Sequence, residues 1–350
     1  MQTPFLSAPL TVHWWITAQC NLNCPMCSTA SGQQLPREMT TEEGLTLIND
    51  LANMQVFTLV VGGGEPFCRK DIFDFLSTAL DRGLRIHLTT NGTLLDLPTT
   101  KRLAEIGFVW PVQVSIDGNR QHHDDIRGTG NYDRAVQGLK NLEKGLVPSQ
   151  IACLISRRNI DDVEDLIELG LAVNAKQVSF HGLIPVGRAH QEMMESWELS
   201  QQEWKELDAY IAQRNAELPM SVICDPYGDE PIGRAPRSQD QSGRGGCTAG
   251  YSEVTIDAQG SVYPCILLCE PQFKAGSVVQ HRFKTIWDSS DVLKSVRKAV
   301  GQLPEACQGC DYTSSCFGGC RGLGFLETGS LTTRDPRCPF APHNQQNSQH

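Results

Sequence analysis

No stretch of this 350-residue chain approaches the roughly 18 continuous apolar residues that a membrane-spanning helix needs. Its first residues, MQTPFLSAPL, place no basic region ahead of an apolar run, so a secretory signal is missing and a cytoplasmic location is expected. Positive charge is also short. Lys and Arg number 30 against 40 Asp and Glu, for a formal charge of −10. Nucleic acid and anionic membrane both need a basic face, so neither is expected as the main partner. Apolar residues at 40% and charged residues at 20% sit somewhat below the usual soluble domain but well above the disordered regime. The length suits one large domain or two modest ones. Cysteine is the residue that is not scarce: there are 14, too many to ignore and too few for a disulfide miniprotein of this length.

The cysteines are clustered. Cys20, Cys24 and Cys27 fall within eight residues, Cys247 to Cys338 contain eight more, and only Cys68, Cys153 and Cys224 are scattered. Without a secretory signal the thiols are expected to be reduced, so the clusters read as metal ligands before disulfides.

Between the clusters the chain alternates β-rich and helical patterns. Strands are expected at Thr11–Thr17, Phe57–Val61, Arg85–Thr90, Val112–Ile116, Gln150–Ile155 and Gln177–Phe180. Helices are expected at Thr41–Leu51, Asp71–Leu80, Thr99–Ile106, Tyr132–Leu142 and Ile160–Leu171. The acids Glu42 and Glu43 favour a helix start, because the first turn carries the positive end of the helix dipole. Six strands alternating with helices imply a parallel sheet, open or part of a barrel. Its chemistry belongs at the C-terminal ends of the strands. From about Met193 to Arg244 a bridging segment is expected, with a helix over Ser200–Glu217 and a Gly-, Pro- and Arg-rich stretch over Asp225–Gly245. Beyond it, Val254–Asp257 and Ser261–Pro264 read as a hairpin, and the remaining cysteine-rich run to Cys338 shows little long periodicity. Such a segment folds best around metal. The tail Ala341–His350 is expected to be disordered.

Cys20-Asn-Leu-Asn-Cys24-Pro-Met-Cys27 follows the first strand directly. Three thiolates on one loop can hold three irons of a cubane cluster and leave the fourth open to a small chelating molecule. A structural zinc knuckle would ask for four ligands in paired spacing. The Cys20-x3-Cys24-x2-Cys27 pattern resembles the signature of the radical S-adenosylmethionine (SAM) enzymes. The resemblance implies a 4Fe–4S cluster whose open iron is chelated by SAM, and reductive cleavage of SAM to a 5′-deoxyadenosyl radical that abstracts hydrogen. Met26 stands where the family commonly carries an aromatic residue near the adenine, an apolar role that a thioether can take.

Further motifs stand at the following strand ends. Gly62-Gly63-Gly64-Glu65-Pro66 resembles the family's motif for the SAM amino group, which implies cofactor contacts at Gly63, Gly64 and Glu65. Thr90-Asn91-Gly92 and Ser115-Ile116-Asp117 resemble the next two, so Asn91, Ser115 and Asp117 are expected on the ribose hydroxyls and the cofactor carboxylate. Arg127 is a candidate for that carboxylate through charge-assisted hydrogen bonds. The Leu183–Arg188 segment, with Leu183 in particular, is expected to line the adenine pocket. His122 and His123 read as exposed loop residues without a role.

The later cysteines, Cys247, Cys265, Cys307, Cys310, Cys316, Cys320 and Cys338, resemble the SPASM extension in number and order. That extension is named for the maturases of subtilosin, pyrroloquinoline quinone, anaerobic sulfatases and mycofactocin. The resemblance implies two auxiliary 4Fe–4S clusters. One would take Cys307, Cys310, Cys316 and Cys338; the other would take Cys247, Cys265 and Cys320, with Cys224, Cys269 or no side chain in the fourth position. Cys68 and Cys153 read as ordinary buried thiols.

The expected architecture is therefore a partial (β/α)6 TIM-type barrel over residues 1–192, a bridge over 193–245, a SPASM domain over 246–340 and a tail over 341–350. The expected activity is radical modification of a peptide by crosslinking, epimerisation, oxidation or splicing. Alternatives are small-molecule or tetrapyrrole chemistry and sulfatase-type maturation. The last loses weight because Ile266 stands where sulfatase maturases carry an acidic base. A non-catalytic iron–sulfur carrier would have no use for a nucleotide pocket at four strand ends. With about ten residues ahead of the first strand, a peptide substrate would call for a separate leader-recognition protein. Flavodoxin or ferredoxin is the expected reductant.

Overall fold

The computed structural model describes residues 6–225 and 246–338. Ten strands form one sheet in the order β10-β9-β8-β1-β2-β3-β4-β5-β6-β7. They are β1 (Thr11–Thr17), β2 (Thr58–Gly63), β3 (Arg85–Thr90), β4 (Val112–Ser115), β5 (Ser149–Leu154), β6 (Gln177–His181), β7 (Ser221–Asp225), β8 (Glu253–Ile256), β9 (Ser261–Tyr263) and β10 (Gly276–Ser277). The six expected strands are neighbours in chain order and pair in parallel. Between them run α1 (Thr41–Asn53), α2 (Ile72–Asp81), α3 (Leu97–Glu105), α4 (Arg120–Arg127), α5 (Asn131–Lys144) and α6 (Val163–Ala172). Every strand-to-strand crossover thus carries a helix, as parallel pairing requires.

Local chemistry explains the boundaries. α1 starts one residue after Thr40, whose hydroxyl accepts from the Glu43 amide while Glu43 accepts from the Thr40 amide, a reciprocal cap of two otherwise unpaired donors. Alternate strand residues sink into the core under the helices: Val12, Trp14 and Ile16 of β1 are all fully buried. Trp14 meets Phe75 of α2 edge-on at 5.1 Å between ring centroids, and each such side chain contributes about 1.5–3 kcal/mol by leaving water. The opposite, concave face of the sheet is more polar. His87 on β3, Gln113 on β4 and Gln150 on β5 form a hydrogen-bonded chain across it, at 3.0 and 2.8 Å.

The sheet goes beyond six strands at both edges. The expected bridge contributes α7 (Gln191–Trp197), α8 (Gln201–Asn215) and β7, which pairs in parallel with β6. Its Gly- and Pro-rich stretch, residues 226–245, lies outside the described residues, as does the tail. At the other edge the expected hairpin forms as β8 and β9, antiparallel to each other, with β8 parallel to β1. The cysteine-rich region is therefore sewn to the barrel by backbone hydrogen bonds.

That region also holds more helix than its pattern suggests: α9 (Phe283–Ser289), α10 (Asp291–Val300), α11 (Thr313–Cys316) and α12 (Arg321–Thr328). α10 buries Leu293, Val296, Arg297 and Val300. Arg297 at a core position disguised the apolar stripe. Its guanidinium donates to the Gly250 and Trp287 carbonyls at 2.6 and 2.9 Å and lies 4.2 Å over the Trp287 ring.

Candidate active site at the strand ends

The ends of β1 to β5 enclose a cavity of about 210 Å³. Its wall brings together Cys20, Cys24, Cys27, Gly63, Gly64, Glu65, Asn91, Ser115 and Arg127, nine of the expected site residues, with Met26, Thr29, Ser31 and Arg188. The cysteine loop is held against β2. The Gly64 and Glu65 amides donate to the Thr17 and Gln19 carbonyls, both at 2.8 Å. A Cβ on Gly64 would stand 2.1 Å from the Gln19 oxygen, so only glycine lets the two strand ends approach this closely. Thr29 ties the far side of the loop down by donating to the Gly63 carbonyl at 3.0 Å.

Glu65 is buried, and its carboxylate accepts from Thr90 Oγ1 at 2.7 Å, the Asn91 amide at 2.8 Å and the Phe67 amide at 3.2 Å. Burial pushes its pKa upward, against the three donors. Asn91 gives its side-chain N–H to Asn21 at 2.9 Å and lies 3.9 Å from Cys20 Sγ. Burial pushes the Cys20 thiol up to about 11 and also raises Cys24. Both shifts favour the neutral thiol.

Two of the expected contacts stand behind the wall. Asp117 is fully buried; one oxygen accepts from Arg127 Nε at 2.6 Å and the other from the Leu154 amide at 2.9 Å. It aims Arg127, whose Nη groups make no hydrogen bond among the described residues. Leu183 is buried with Leu22, Cys24, Met26, Met193 and Trp197. The loop after β6 therefore grips the cysteine loop. Arg188 donates to the Cys24 and Ser31 carbonyls at 2.8 and 2.6 Å, and its amide to Cys27 O at 2.9 Å. At Gly187, φ is 70° and a Cβ would lie 2.3 Å from Cys27 O. The same loop reaches the other cysteine field, where Ile184 and Val186 pack with Cys265, Leu268 and Leu323.

The paired histidines are not loop residues. They lie on α4, with His123 fully buried and its Nδ1 accepting from the Asp117 amide at 3.1 Å. Burial lowers its pKa to about 4, so the ring is neutral at pH 7. His122 pairs with Asp162 at 2.6 Å.

In the extension the thiols gather in two groups. Burial pushes Cys265 far up, with Glu253, Cys247 and Cys320 adding to the effect, and Cys320 is raised to about 12. Burial likewise raises Cys307, helped by Cys338 and Cys316. Cys310 follows Cys307 through a turn, its amide donating to the Cys307 carbonyl at 3.3 Å. Asp335 ties the segment of the second group to the first. It accepts from the Cys320 amide at 2.9 Å and from Arg337 at 2.7 and 2.8 Å, and this holds the segment that ends in Cys338. Of the two candidates for a fourth position beside Cys247, Cys265 and Cys320, Cys224 is buried in the barrel core on β7, and the Cys269 thiol donates to the Cys265 carbonyl at 3.4 Å. Cys153 is fully buried, as expected, while Cys68 is only partly so. Among the described residues, no three His, Cys, Asp or Glu side chains converge on the spacing of a single metal ion.

Family models match the radical SAM superfamily over residues 16–170 and an iron–sulfur cluster-binding SPASM domain over residues 247–311. The AdoMet-dependent heme synthase of Methanosarcina barkeri is 30% identical over 351 residues, covering 96% of this chain and 98% of its own. The chain belongs to the radical SAM superfamily. Mycofactocin maturase MftC of Mycobacterium tuberculosis is 31% identical over 338 residues, covering 95% of this chain and 83% of its own. In fold, this radical SAM protein is similar to Streptococcus suis SuiB in its SAM-bound crystal structure, with a TM-score of 0.81 at 17% identity, covering 96% of this chain and 78% of that one. It is a radical SAM/SPASM enzyme, and membership implies SAM, a 4Fe–4S cluster and further iron–sulfur clusters in the SPASM domain. No described helix is long and apolar enough to cross a membrane.

The motifs of the radical SAM site were legible because they are contiguous and end strands. Arg188, Asp335 and Arg321 were not. Each is a single charged residue in a loop or at a helix start, and only the buried carbonyls and amides around it mark its work.

Proposed function

We propose that Cys20, Cys24 and Cys27 hold the SAM-binding 4Fe–4S cluster and that Gly63, Gly64, Glu65, Asn91, Ser115 and Arg127 receive SAM. The donor set fits. Three thiols share one wall with a buried carboxylate and with a guanidinium whose Nη groups make no hydrogen bond to the described residues. Arg127 offers those N–H groups to a carboxylate, and Asp117 and Leu183 act from behind, one aiming Arg127 and one packing the cysteine loop. Two auxiliary 4Fe–4S clusters complete the set, one on Cys247, Cys265 and Cys320, the other on Cys307, Cys310, Cys316 and Cys338. When bound, the SAM and cluster supply a 5′-deoxyadenosyl radical that takes hydrogen from the substrate. The chain's own part is to seat the cofactor, bury the reaction and keep water out of the cavity.

The substrate in this reading is a peptide, modified after translation, with a leader-recognition protein and a flavodoxin or ferredoxin as partners. Support comes from the maturase relative at 31% identity and from the wall's charge. Arg188 is engaged by two carbonyls and Arg127 by Asp117, which leaves neither for an anionic substrate once SAM is bound. A tetrapyrrole side chain is the second reading, favoured by the heme synthase relative that matches end to end. The test is anaerobic turnover of the iron-reconstituted chain with SAM and reductant. A candidate precursor peptide is expected to gain a mass change with stoichiometric 5′-deoxyadenosine. Turnover of iron coproporphyrin and of no peptide would establish the second reading instead.

A further inference from the structure

Arg321, the first residue of α12, is fully buried. Its guanidinium donates to three carbonyls, Thr333 at 3.1 Å, Gln302 at 2.6 Å and Phe317 at 3.3 Å, and to no carboxylate among the described residues. Its Nε–H has no partner among the described residues. A buried cation without an anion costs several kcal/mol, so the site calls for negative charge. The chain places that charge on both sides. Cys320 precedes Arg321 directly, and the Arg321 backbone amide favours the charged form of Cys247, so one thiol group abuts its backbone. The guanidinium reaches across to Phe317, next to Cys316 of the other group, and lies under Gly318, where a Cβ would stand 3.1 Å from Cζ. Burial works against the Arg321 charge, and Cys247, Cys307, Cys316 and Cys320 work for it. These four thiols come from both groups.

Building on the two-cluster reading above, we infer that Arg321 is a positioning residue that serves as the shared counter-charge of both auxiliary clusters and raises the reduction potential of each. The physical reason is direct. One-electron reduction adds negative charge to a cluster, a fixed cation beside it stabilises the reduced form, and net charge and hydrogen bonds to sulfur are the main levers on such potentials. One guanidinium between two clusters moves both together.

The test uses the full chain carrying Cys20→Ala, Cys24→Ala and Cys27→Ala, reconstituted anaerobically so that only auxiliary iron is present. Midpoints are read by redox titration with electron paramagnetic resonance. Adding Arg321→Gln is expected to lower both midpoints, cutting the reduced-to-oxidised ratio at fixed potential by about tenfold, about 59 mV for a one-electron couple. Arg321→Lys keeps the charge and is expected to shift them by less than half as much. Unchanged midpoints in a fully loaded Arg321→Gln protein, or a shift confined to one cluster, would overturn the proposal. So would loss of auxiliary iron from both variants, which would make Arg321 a packing residue only. The triple cysteine variant with Arg321 intact reports separately on the two-cluster reading: about eight irons uphold it, and about four sink it whatever the potentials do.

Discussion

The barrel and the SPASM region of this chain solve the same problem with different material. The barrel buries alternating strand residues under helices, from Val12 and Trp14 to Val178 and Phe180, in one continuous apolar cluster. The SPASM region lends Val254, Ile256, Phe283 and Trp287 to that same cluster and keeps a smaller one of its own. Its smaller cluster includes Cys265 with Cys247 and Cys320 packed at its margin, and its charged residues Arg297, Arg321 and Asp335 are buried on backbone groups. One region holds its shape mainly by burying hydrocarbon; the other adds an interior of thiols whose pKa burial raises. Their join is specific: β8 on β1, and the loop after β6 reaching both cysteine fields.

This contrast can be broken at several points. The largest effect is expected from Cys20→Ala/Cys24→Ala/Cys27→Ala, which abolishes 5′-deoxyadenosine formation while auxiliary iron stays, as chromatography and iron analysis would show. Residual cleavage of SAM would remove the assignment of these three ligands. Next comes iron removal. Chelation is expected to lower hydrogen-exchange protection across residues 305–338 by at least about tenfold while β2 to β5 keep theirs. Equal loss in both regions would mean that the barrel also depends on iron.

Asp335→Ala is a smaller and more local break. It removes a buried carboxylate that accepts from both the Cys320 amide and the Arg337 side chain, and is expected to cost about 3–5 kcal/mol in denaturant unfolding of the SPASM region. The smallest effect is a pH response confined to the barrel. His123 is held neutral by burial with a pKa lowered from 6.5 to about 4. Between these values the unfolded chain binds the proton and the folded chain does not, so stability falls as pH drops through the window, by about 3 kcal/mol in full. Exchange of the β4 and β5 amides at pH 6.5 and 4 would show it, and His123→Asn should flatten that slope.

The barrel was readable to within a residue or two along β1, β3 and α2, because apolar period and glycine-bearing strand ends are local features. The same reading missed α10, where Arg297 interrupts the apolar stripe, and β7, which looked like part of a linker. It placed His123 in solvent when the ring is fully buried, since adjacent histidines carry no sign of which one turns inward.

By itself the sequence determined the chemistry on offer: the cysteines, their spacing, and the strand ends on which the family motifs stand. Those are properties of short segments, set by donor chemistry and by backbone geometry at glycine. Only the tertiary structure decided how the pieces share work. It drew the late thiols into two groups, with Cys224 in the barrel core and Cys269 turned to the Cys265 carbonyl. It moved Asp117 from cofactor contact to anchor of Arg127, and it buried Arg321 between two sets of thiols. Such roles depend on what surrounds a charge after burial, and desolvation has no period along the chain.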